Sequence, residues 1–395
     1  MVKKMNIGKK VLFTLFALLM CSLPCLCIEE TTENLEPIEL NKPEESLKEK
    51  IEENINKDVE KTKKTFHSDA KIWSMFGTNG YEFESGLVKN FKVNGYFRFD
   101  NAMTAKRDTD FSSLMTFDSV ELQTETLFRD NKTKLSASYN FVRDLDYNNN
   151  FFEKVSNLYI DHDFNENQKI RIGNARVPCG IEGGMSSSAI KFVTRGQISR
   201  NFGDARSVGV RNMGKYKYLD YDIGFYDSSR FMQKLFQGQE FAAIASVKPL
   251  AKYGDKYGKL KIGSSIDVGD ADKHYAVFGA HAIYEYKNFY WDFEYANANN
   301  SGGKYIKTND AHGFFTTLAY KITPKIEVLA RYDYFKNRLS DKRTQEYTAG
   351  LNYYFNPHCK AVANYVIVMN SNSTVPTHKI YLGARFMTSS LLGDI

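Results

Sequence analysis

Positively charged side chains are concentrated in one stretch of the chain. They are Lys191, Arg195, Arg200 and Arg206. No acid lies between Glu182 and Asp204, so the first three are unopposed in the sequence. Fixed cations attract anions; the planar donor fork of arginine suits phosphate, whereas lysine acts as a point charge. A site that is to release its ion again must also bind it weakly. This stretch therefore indicates a preference for anions.

Further basic residues recur at alternate positions of strand-like segments. Because successive side chains of a strand point to opposite faces, alternation assigns them to one common face. Five are candidate anion-binding groups: Arg98, Lys134, Arg171, Arg211 and Arg331. The same alternation places acids such as Glu121, Asp222 and Asp333 on that face. The alternative is that the two signs pair with each other in ion-pair networks, and a one-residue error in register would reverse any of these assignments.

The segments that carry these side chains have a hydrophobic period of two from about Leu87 onward. Phe97 and Phe99, for example, alternate with Tyr96 and Arg98. Each segment is about ten residues long, the length a tilted strand needs to cross a membrane, and roughly sixteen of them fit in the chain. The pattern predicts an all-β fold, a transmembrane antiparallel β-barrel of about 16 strands with a water-filled lumen. An N-terminal periplasmic helix is predicted in addition, from a different pattern in the residues before the barrel.

Turn signals and aromatic content support this prediction. Tight turns at Asp130-Asn131, Thr323-Pro324 and Asn356-Pro357 alternate with long polar connections. Short turns on one rim and long loops on the other are typical of outer-membrane barrels. The 25 tyrosines and 29 phenylalanines favour strands with aromatic girdles. A soluble β-sandwich would instead have shorter strands and core faces rich in Leu, Ile and Val.

The N-terminus has the pattern of a secretory signal. Four lysines precede an apolar stretch at residues 11–19 that is too short to span a bilayer. We expect cleavage near Cys27; a lipoprotein acylated at Cys21, Cys25 or Cys27 is the alternative. No later segment holds 18 consecutive apolar residues, so no transmembrane helix is predicted. Only Cys179 and Cys359 remain after removal of the signal, and we interpret them as free thiols.

The predicted domain boundaries follow from these changes in pattern. They are a signal peptide at 1–27, an acidic linker and short helix at 28–66, a connector at 67–86, the barrel at 87–387 and a tail at 388–395. In the second segment, Leu47, Ile51, Ile55 and Val59 recur at the helical spacing of four. Such a narrow apolar stripe predicts a helix over 46–64, either in a short periplasmic coiled coil or solvated.

Enzymatic, metal and nucleic-acid functions find little support. The seven histidines are scattered, with no H-x-x-x-H pair, and the chain has no G-x-S-x-G, P-loop or G-x-G-x-x-G motif. Asp161 and Asp163 point away from His162 on a strand, so these three do not predict a metal site. The net charge of +6 is small and dispersed, which argues against nucleic acid. We therefore predict no enzyme and no cofactor.

Two stretches resemble a known family. The first runs from Ile170 to Glu182 and continues through Ser186–Ser188, Phe192–Arg195, Arg206–Arg211 and Tyr221–Tyr226. The second runs from Glu346 to Pro357 and into Ala363-Asn364-Tyr365. Their order resembles the phosphate-selective porin O and P family over roughly residues 87–387. Three features depart from the family pattern: Cys179 stands where Phe is more common, the chain continues beyond Phe386, and the inward face is not purely basic.

The resemblance implies a trimer of 16-stranded barrels in the outer membrane of a double-membraned bacterium. It also implies that the loop after the fifth strand, about Val177 to Ala205, folds into each lumen and narrows it. The expected function is passive diffusion of small hydrophilic solutes, with a preference for anions or phosphate as its finer form. The expected partners are these solutes or inorganic anions, outer-membrane lipid and further copies of the chain. The alternative is a non-conducting barrel that acts as an adhesin or structural anchor.

Overall fold

The computed structural model describes residues 79–106, 109–142, 155–203, 205–227, 238–270, 274–300 and 310–388. All of them belong to a unit formed by residues 65–395. The predicted signal peptide, the acidic linker with its helix and the tail beyond residue 388 lie outside the described residues. Of the predicted connector, residues 79–86 are described.

The described residues form one long sheet with two-residue strand β1 at its start. The strands are β1 (Tyr81–Glu82), β2 (Val88–Lys106), β3 (Thr109–Phe128), β4 (Thr133–Asn140), β5 (Val155–Asn165), β6 (Gln168–Arg176), β7 (Arg206–Lys215), β8 (Leu219–Asp227), β9 (Gln239–Val247), β10 (Lys259–Asp270), β11 (His274–Tyr286), β12 (Phe289–Asn299), β13 (Ala311–Thr323), β14 (Ile326–Asn337), β15 (Arg343–Asn356), β16 (Cys359–Asn370) and β17 (Thr377–Met387).

Strands β2–β17 close into a barrel. Each pairs antiparallel with the next along the chain, and β17 returns to pair with β2, where Arg385 lies opposite Arg98. Closure satisfies the backbone hydrogen bonds of every strand and leaves no sheet edge, as a membrane requires. The predicted 16-stranded antiparallel barrel is confirmed. Among the described residues there is no helix both long and apolar enough to cross a membrane.

The two faces of the barrel wall differ as the period of two predicts. On β15, Tyr347, Leu351 and Phe355 are exposed on the outer face, whereas Glu346 and Asn352 are buried on the inner face. Apolar side chains that face outward in this way form the lipid-facing band of an outer-membrane barrel. The inner face is polar and charged, and part of it is buried by the long connection between β6 and β7.

The connections differ between the two rims. On the rim that we call the turn rim, most turns are short, among them 166–167, 287–288, 324–325 and 357–358. The exception there is the β9–β10 connection, which contains a 3-10 helix, Ala251–Tyr257. The opposite rim carries the connection between β6 and β7, which is much longer and contains helices α1 (Ile181–Gly184) and α2 (Gln197–Phe202).

Candidate functional site

The β6–β7 connection, residues 177–205, is buried against the inner face of the barrel, and we call it the inner loop. Its apolar side chains Ile190, Phe192 and Ile198 are at most 2% exposed. Ile198 packs in a cluster with the inward residue Phe315 of β13, and Phe192 packs in a cluster with Leu329 of β14. A connection that is buried must satisfy its own backbone polar groups, so the wall has to supply hydrogen-bond partners.

Inward glycines create the space that the inner loop occupies. A Cβ atom at Gly313 of β13 would lie 2.8 Å from Cγ2 of Ile198, and one at Gly350 of β15 would lie 3.2 Å from Cε1 of Phe192. At Gly383 of β17 it would lie 3.4 Å from Cγ2 of Val193. The first two distances are too short or too tight for an ordinary side chain, so the wall is recessed where the loop packs.

Basic residues of the wall bind the carbonyl oxygens of the inner loop. Arg385 donates to the carbonyls of Ile190 and Phe192 at 2.7 and 2.6 Å. Lys360 also donates to the carbonyl of Ile190. Arg98 donates to the carbonyl of Val193 at 2.6 Å, and Arg331 donates to the carbonyl of Thr194 at 3.1 Å. Two of the predicted anion-binding cations of the wall, Arg98 and Arg331, are thus hydrogen-bonded to the loop backbone.

Acidic residues bind the backbone N–H groups of the same loop. The carboxylate of Glu294 accepts from the N–H groups of Ile181 and Glu182 at 3.1 and 3.2 Å. Asp333 accepts from the N–H of Gln197 at 2.7 Å, and Glu182 itself accepts from Gly196. Hydrogen bonds to charged groups contribute about 1.5–3 kcal/mol each, so the wall charges fix the loop strongly.

The three cations predicted within the inner loop have different surroundings. Arg195 is buried and donates to the carbonyl oxygens of Glu182 and Met185. Burial lowers the pKa of Arg195 to about 10, opposed by the nearby Glu182 carboxylate. Lys191 and Arg200 instead reach acids of the wall.

Lys191 and Arg200 share one arrangement. The Nζ of Lys191 lies 2.9 Å from Oε1 of Glu327 and 4.3 Å from the ring centre of Tyr290. A guanidinium nitrogen of Arg200 lies 2.7 Å from Oε2 of Glu346. The side chains of Lys191 and Arg200 are 27% and 36% exposed, whereas those of Glu327 and Glu346 are 2% and 9% exposed. In both pairs the cation is therefore the accessible partner.

The remaining predicted cations lie on other parts of the wall. Arg98 is also paired with Asp100, and Arg331 lies 3.5 Å from Glu182 and over the ring of Phe192. On β4 and β6, Lys134 lies 3.8 Å from Glu125, and Arg171 binds both carboxylate oxygens of Asp161. On β7, Arg211 donates to the carbonyl of Arg176 and lies 3.6 Å from Asp222. Arg206, also on β7, lies 3.4 Å from Asn157. The structure brings Arg98, Arg195 and Arg331 together at the loop but leaves Lys134 and Arg171 apart from them.

Several residues at the loop were not singled out from the sequence. Lys360 binds the carbonyl of Ile190, and Glu327 and Glu346 pair with the exposed cations of the loop. The sequence does hold one signal, because glycines at inward positions of long strands, such as Gly313, mark a close approach by another segment.

An open space remains in the lumen near the turn rim. It has a volume of about 990 Å³ and is lined by the β3–β4 turn and by residues of β5–β9 with their turns. Lys132, Lys169, Asp220 and Asp222 are among its charged residues. Cys179 and Cys359 are free thiols. The described part of the chain contains no cluster of three or more His, Cys, Asp or Glu side chains able to hold a metal ion.

The closed 16-stranded antiparallel barrel has the fold of outer-membrane porins. Residues 255–388 match the family model of the phosphate-selective porin O and P family, which confirms the predicted resemblance. The matched range includes the stretch from Glu346 to Tyr365 but not the one from Ile170 to Tyr226. The fold and this match support a porin function in an outer membrane, and the non-conducting alternative is not favoured.

Solved structures share the fold at low sequence identity. The outer membrane channel DcaP of Acinetobacter baumannii is 11% identical, with a TM-score of 0.56, over 78% of this chain and 99% of that one. The anion-selective porin from Comamonas acidovorans is 10% identical, with a TM-score of 0.56, over 75% and 99%. OmpF of Salmonella typhi is 12% identical, with a TM-score of 0.56, over 75% and 98%. Among curated protein sequences, none matches the chain.

Proposed function

We propose that this porin passes small hydrophilic solutes with a preference for anions, and that the inner loop, residues 177–205, forms its constriction. The observation that carries the proposal is the unequal exposure of the ion pairs at the loop. In Lys191–Glu327 and Arg200–Glu346 the cation faces the lumen and the acid is buried. A passing ion interacts mainly with the accessible partner of each pair, because buried charges are shielded from it by their own counter-ions.

The same inequality occurs elsewhere along the lumen. Lys169 is 40% exposed and its partner Asp161 10%, and Lys261 is 43% exposed and its partner Asp220 20%. Counting charges alone would not predict selectivity, since acids and bases of the inner wall are similar in number. In Arg211–Asp222 the acid is the more exposed partner, at 20% against 11%, and in Lys134–Glu125 the two are nearly equal. The proposal names anions because the cation is the accessible partner in both pairs of the inner loop. Phosphate is one such solute, and arginine would bind it through paired donors.

Two recordings test the proposal. Purified protein in a planar bilayer should form stable open channels, and in a gradient of KCl its reversal potential should show that chloride is more permeant than potassium. A reversal potential that favours potassium would overturn the anion preference while leaving the porin function intact. Absence of any open channel would contradict the function itself.

We further propose that the porin is a homotrimer and acts as a channel rather than an enzyme. The family resemblance supports three copies. The aromatic residues on the outer face of the barrel give an apolar surface for contact between barrels. Native mass spectrometry in mild detergent should give a mass three times that of the mature chain. A mass corresponding to one chain under conditions that preserve conductance would rule the trimer out.

A further inference from the structure

Lysine and tyrosine occur as neighbours in consecutive turns on the turn rim. The ammonium of Lys217 lies 5.2 Å from the ring centre of Tyr218, in the turn between β7 and β8. In the 3-10 helix between β9 and β10, the distances are 4.6 Å for Lys252 and Tyr253 and 5.2 Å for Lys256 and Tyr257. Between β11 and β12, the ammonium of Lys287 lies 5.2 Å from the ring of Tyr286. We call these four pairs the lysine–tyrosine rim.

The lysine–tyrosine rim occupies one sector of the barrel. The connections β7–β8, β9–β10 and β11–β12 are consecutive on the same rim, because each strand pairs with the next along the chain. All four lysines are exposed, and Tyr218, Tyr253 and Tyr257 are 47–52% exposed. The surface is therefore both basic and accessible.

The 3-10 helix of this sector lies toward the lipid-facing side of the wall. The hydroxyl of Tyr284 donates to the carbonyl oxygen of Tyr257 at 2.9 Å. On β11 the alternation places Tyr284 on the same face as Phe278, which is exposed on the outside of the barrel. Tyr257 and Lys256 are thereby held at the outer edge of the barrel and not over the lumen.

Exposed apolar residues adjoin the rim and mark the edge of the lipid-facing band. Leu219 and Val247, which are paired across β8 and β9, and Phe289 at the start of β12 are all exposed. Tyrosine is enriched at this depth because its ring contacts acyl chains while its hydroxyl stays hydrated. The ammonium of a neighbouring lysine then lies at the level of the lipid headgroups.

Other turns of the same rim lack this combination. In the β3–β4 turn, the guanidinium of Arg129 is bound to the protein backbone, where it donates to the carbonyl oxygens of Gly86 and Phe83. The β5–β6 turn is Glu166-Asn167, and the β15–β16 turn is Pro357-His358. Exposed lysines also occur at the β3–β4 turn (Lys132) and at the β13–β14 turn (Lys321 and Lys325). Among the described turns of this rim, however, the lysines that lie over a tyrosine ring are those of the β7–β12 sector.

We propose that the lysine–tyrosine rim binds the headgroup phosphates of anionic phospholipids. This inference goes beyond the channel function, since it concerns the outside of the barrel. Lysines at a membrane surface attract anionic lipids, and the sector offers four of them within three adjacent turns, each beside an aromatic ring at interfacial depth. The bound lipid would fix the depth and tilt of this side of the barrel in the membrane.

The test compares two double variants of equal charge change. Lys252→Gln with Lys256→Gln neutralises the centre of the rim, and Lys342→Gln with Arg343→Gln removes two exposed cations from the opposite rim. The unfolding temperature of each barrel is measured in nanodiscs of phosphatidylcholine, with and without phosphatidylglycerol. We expect phosphatidylglycerol to stabilise the wild type and the opposite-rim variant equally, and the K252Q/K256Q variant by less than half as much.

Native mass spectrometry gives an independent measurement, since it counts retained phosphatidylglycerol molecules. We expect fewer on K252Q/K256Q than on the wild type, and no stabilisation when inorganic phosphate replaces the lipid. Equal retention of phosphatidylglycerol by the two double variants would overturn the proposal. So would an unfolding temperature of the wild type that is the same in nanodiscs of phosphatidylcholine alone as in those that also contain phosphatidylglycerol. Stabilisation by inorganic phosphate would assign the effect to free anion and not to lipid.

Discussion

Arg385, in the last strand, donates a hydrogen bond to the carbonyl oxygen of Phe192 at 2.6 Å, across 193 positions of the sequence. A second bond of the same guanidinium reaches the carbonyl of Ile190. Arg385 is completely buried. Its charge is therefore placed to hold the inner loop, and a residue near the C-terminal end of the barrel helps to position that loop.

Replacing Arg385 should loosen the inner loop. Arg385→Met removes the partners of two buried carbonyls, and we expect a loss of about 2–4 kcal/mol in the free energy of unfolding, since unsatisfied buried polar groups are costly. Single-channel recordings should show more current noise and more frequent closures. Lys342→Met, on an exposed turn, is the control and should change neither. A quiet Arg385→Met channel of unchanged stability would show that the loop is held by other contacts.

The recess at Gly350 offers a steric test of the loop position. A Cβ there would lie 2.9 Å from Nδ2 of Asn364, which binds the loop at Val193, and 3.2 Å from Cε1 of Phe192. Gly350→Val should therefore displace the loop and lower the stability by about 1–3 kcal/mol, as overpacking does in other cores. It should also change the single-channel conductance, because the displaced loop occupies a different part of the lumen. Gly184→Ala is the matched control, since a Cβ at Gly184 meets nothing within 4 Å. Unchanged conductance of a folded Gly350→Val channel would contradict the proposed constriction.

The accessible cations of the loop should determine charge selectivity. Lys191→Gln combined with Arg200→Gln removes the exposed partner of each ion pair and leaves Glu327 and Glu346 in place. We expect the reversal potential in a KCl gradient to move toward that of a cation-preferring channel. Lys252→Gln, outside the lumen, should leave the reversal potential as in the wild type. An equal shift in both variants would show that the protein's overall charge, and not these two side chains, is responsible.

The β3–β4 turn should contribute to stability in a pH-dependent way. The hydroxyl of Thr133 and the backbone N–H groups of Thr133 and Lys132 donate to Asp130 and lower its pKa to about 2. Because the pKa is lower in the folded state, this contribution is present above the ordinary pKa near 3.8 and is lost as the pH falls toward about 2. Asp130→Asn should flatten the decline in unfolding temperature over that range. A variant profile parallel to that of the wild type would refute this role.

The period of two and the strand lengths were sufficient to predict the barrel. Side-chain alternation is a local property of an extended chain, and a membrane leaves few ways to satisfy the backbone, so about ten-residue segments with one apolar face imply a closed sheet. The exposed outer face of β15 and the return of β17 to β2 agree with that argument. The family motifs, through resemblance, predicted the inner loop at Val177 to Ala205, and the loop spans that range.

The partners of each charge were decided by the tertiary structure alone. Alternation placed Arg98 and Arg331 on the inner face, but nothing local shows that their guanidinium groups bind the carbonyls of Val193 and Thr194 and so lose freedom to bind a solute. The sequence by itself determined that basic side chains face the lumen, because successive side chains of a strand alternate between its two faces. Which of them stay accessible depends on contacts between residues 95 to 146 positions apart, and those exist only once the barrel has closed around its loop.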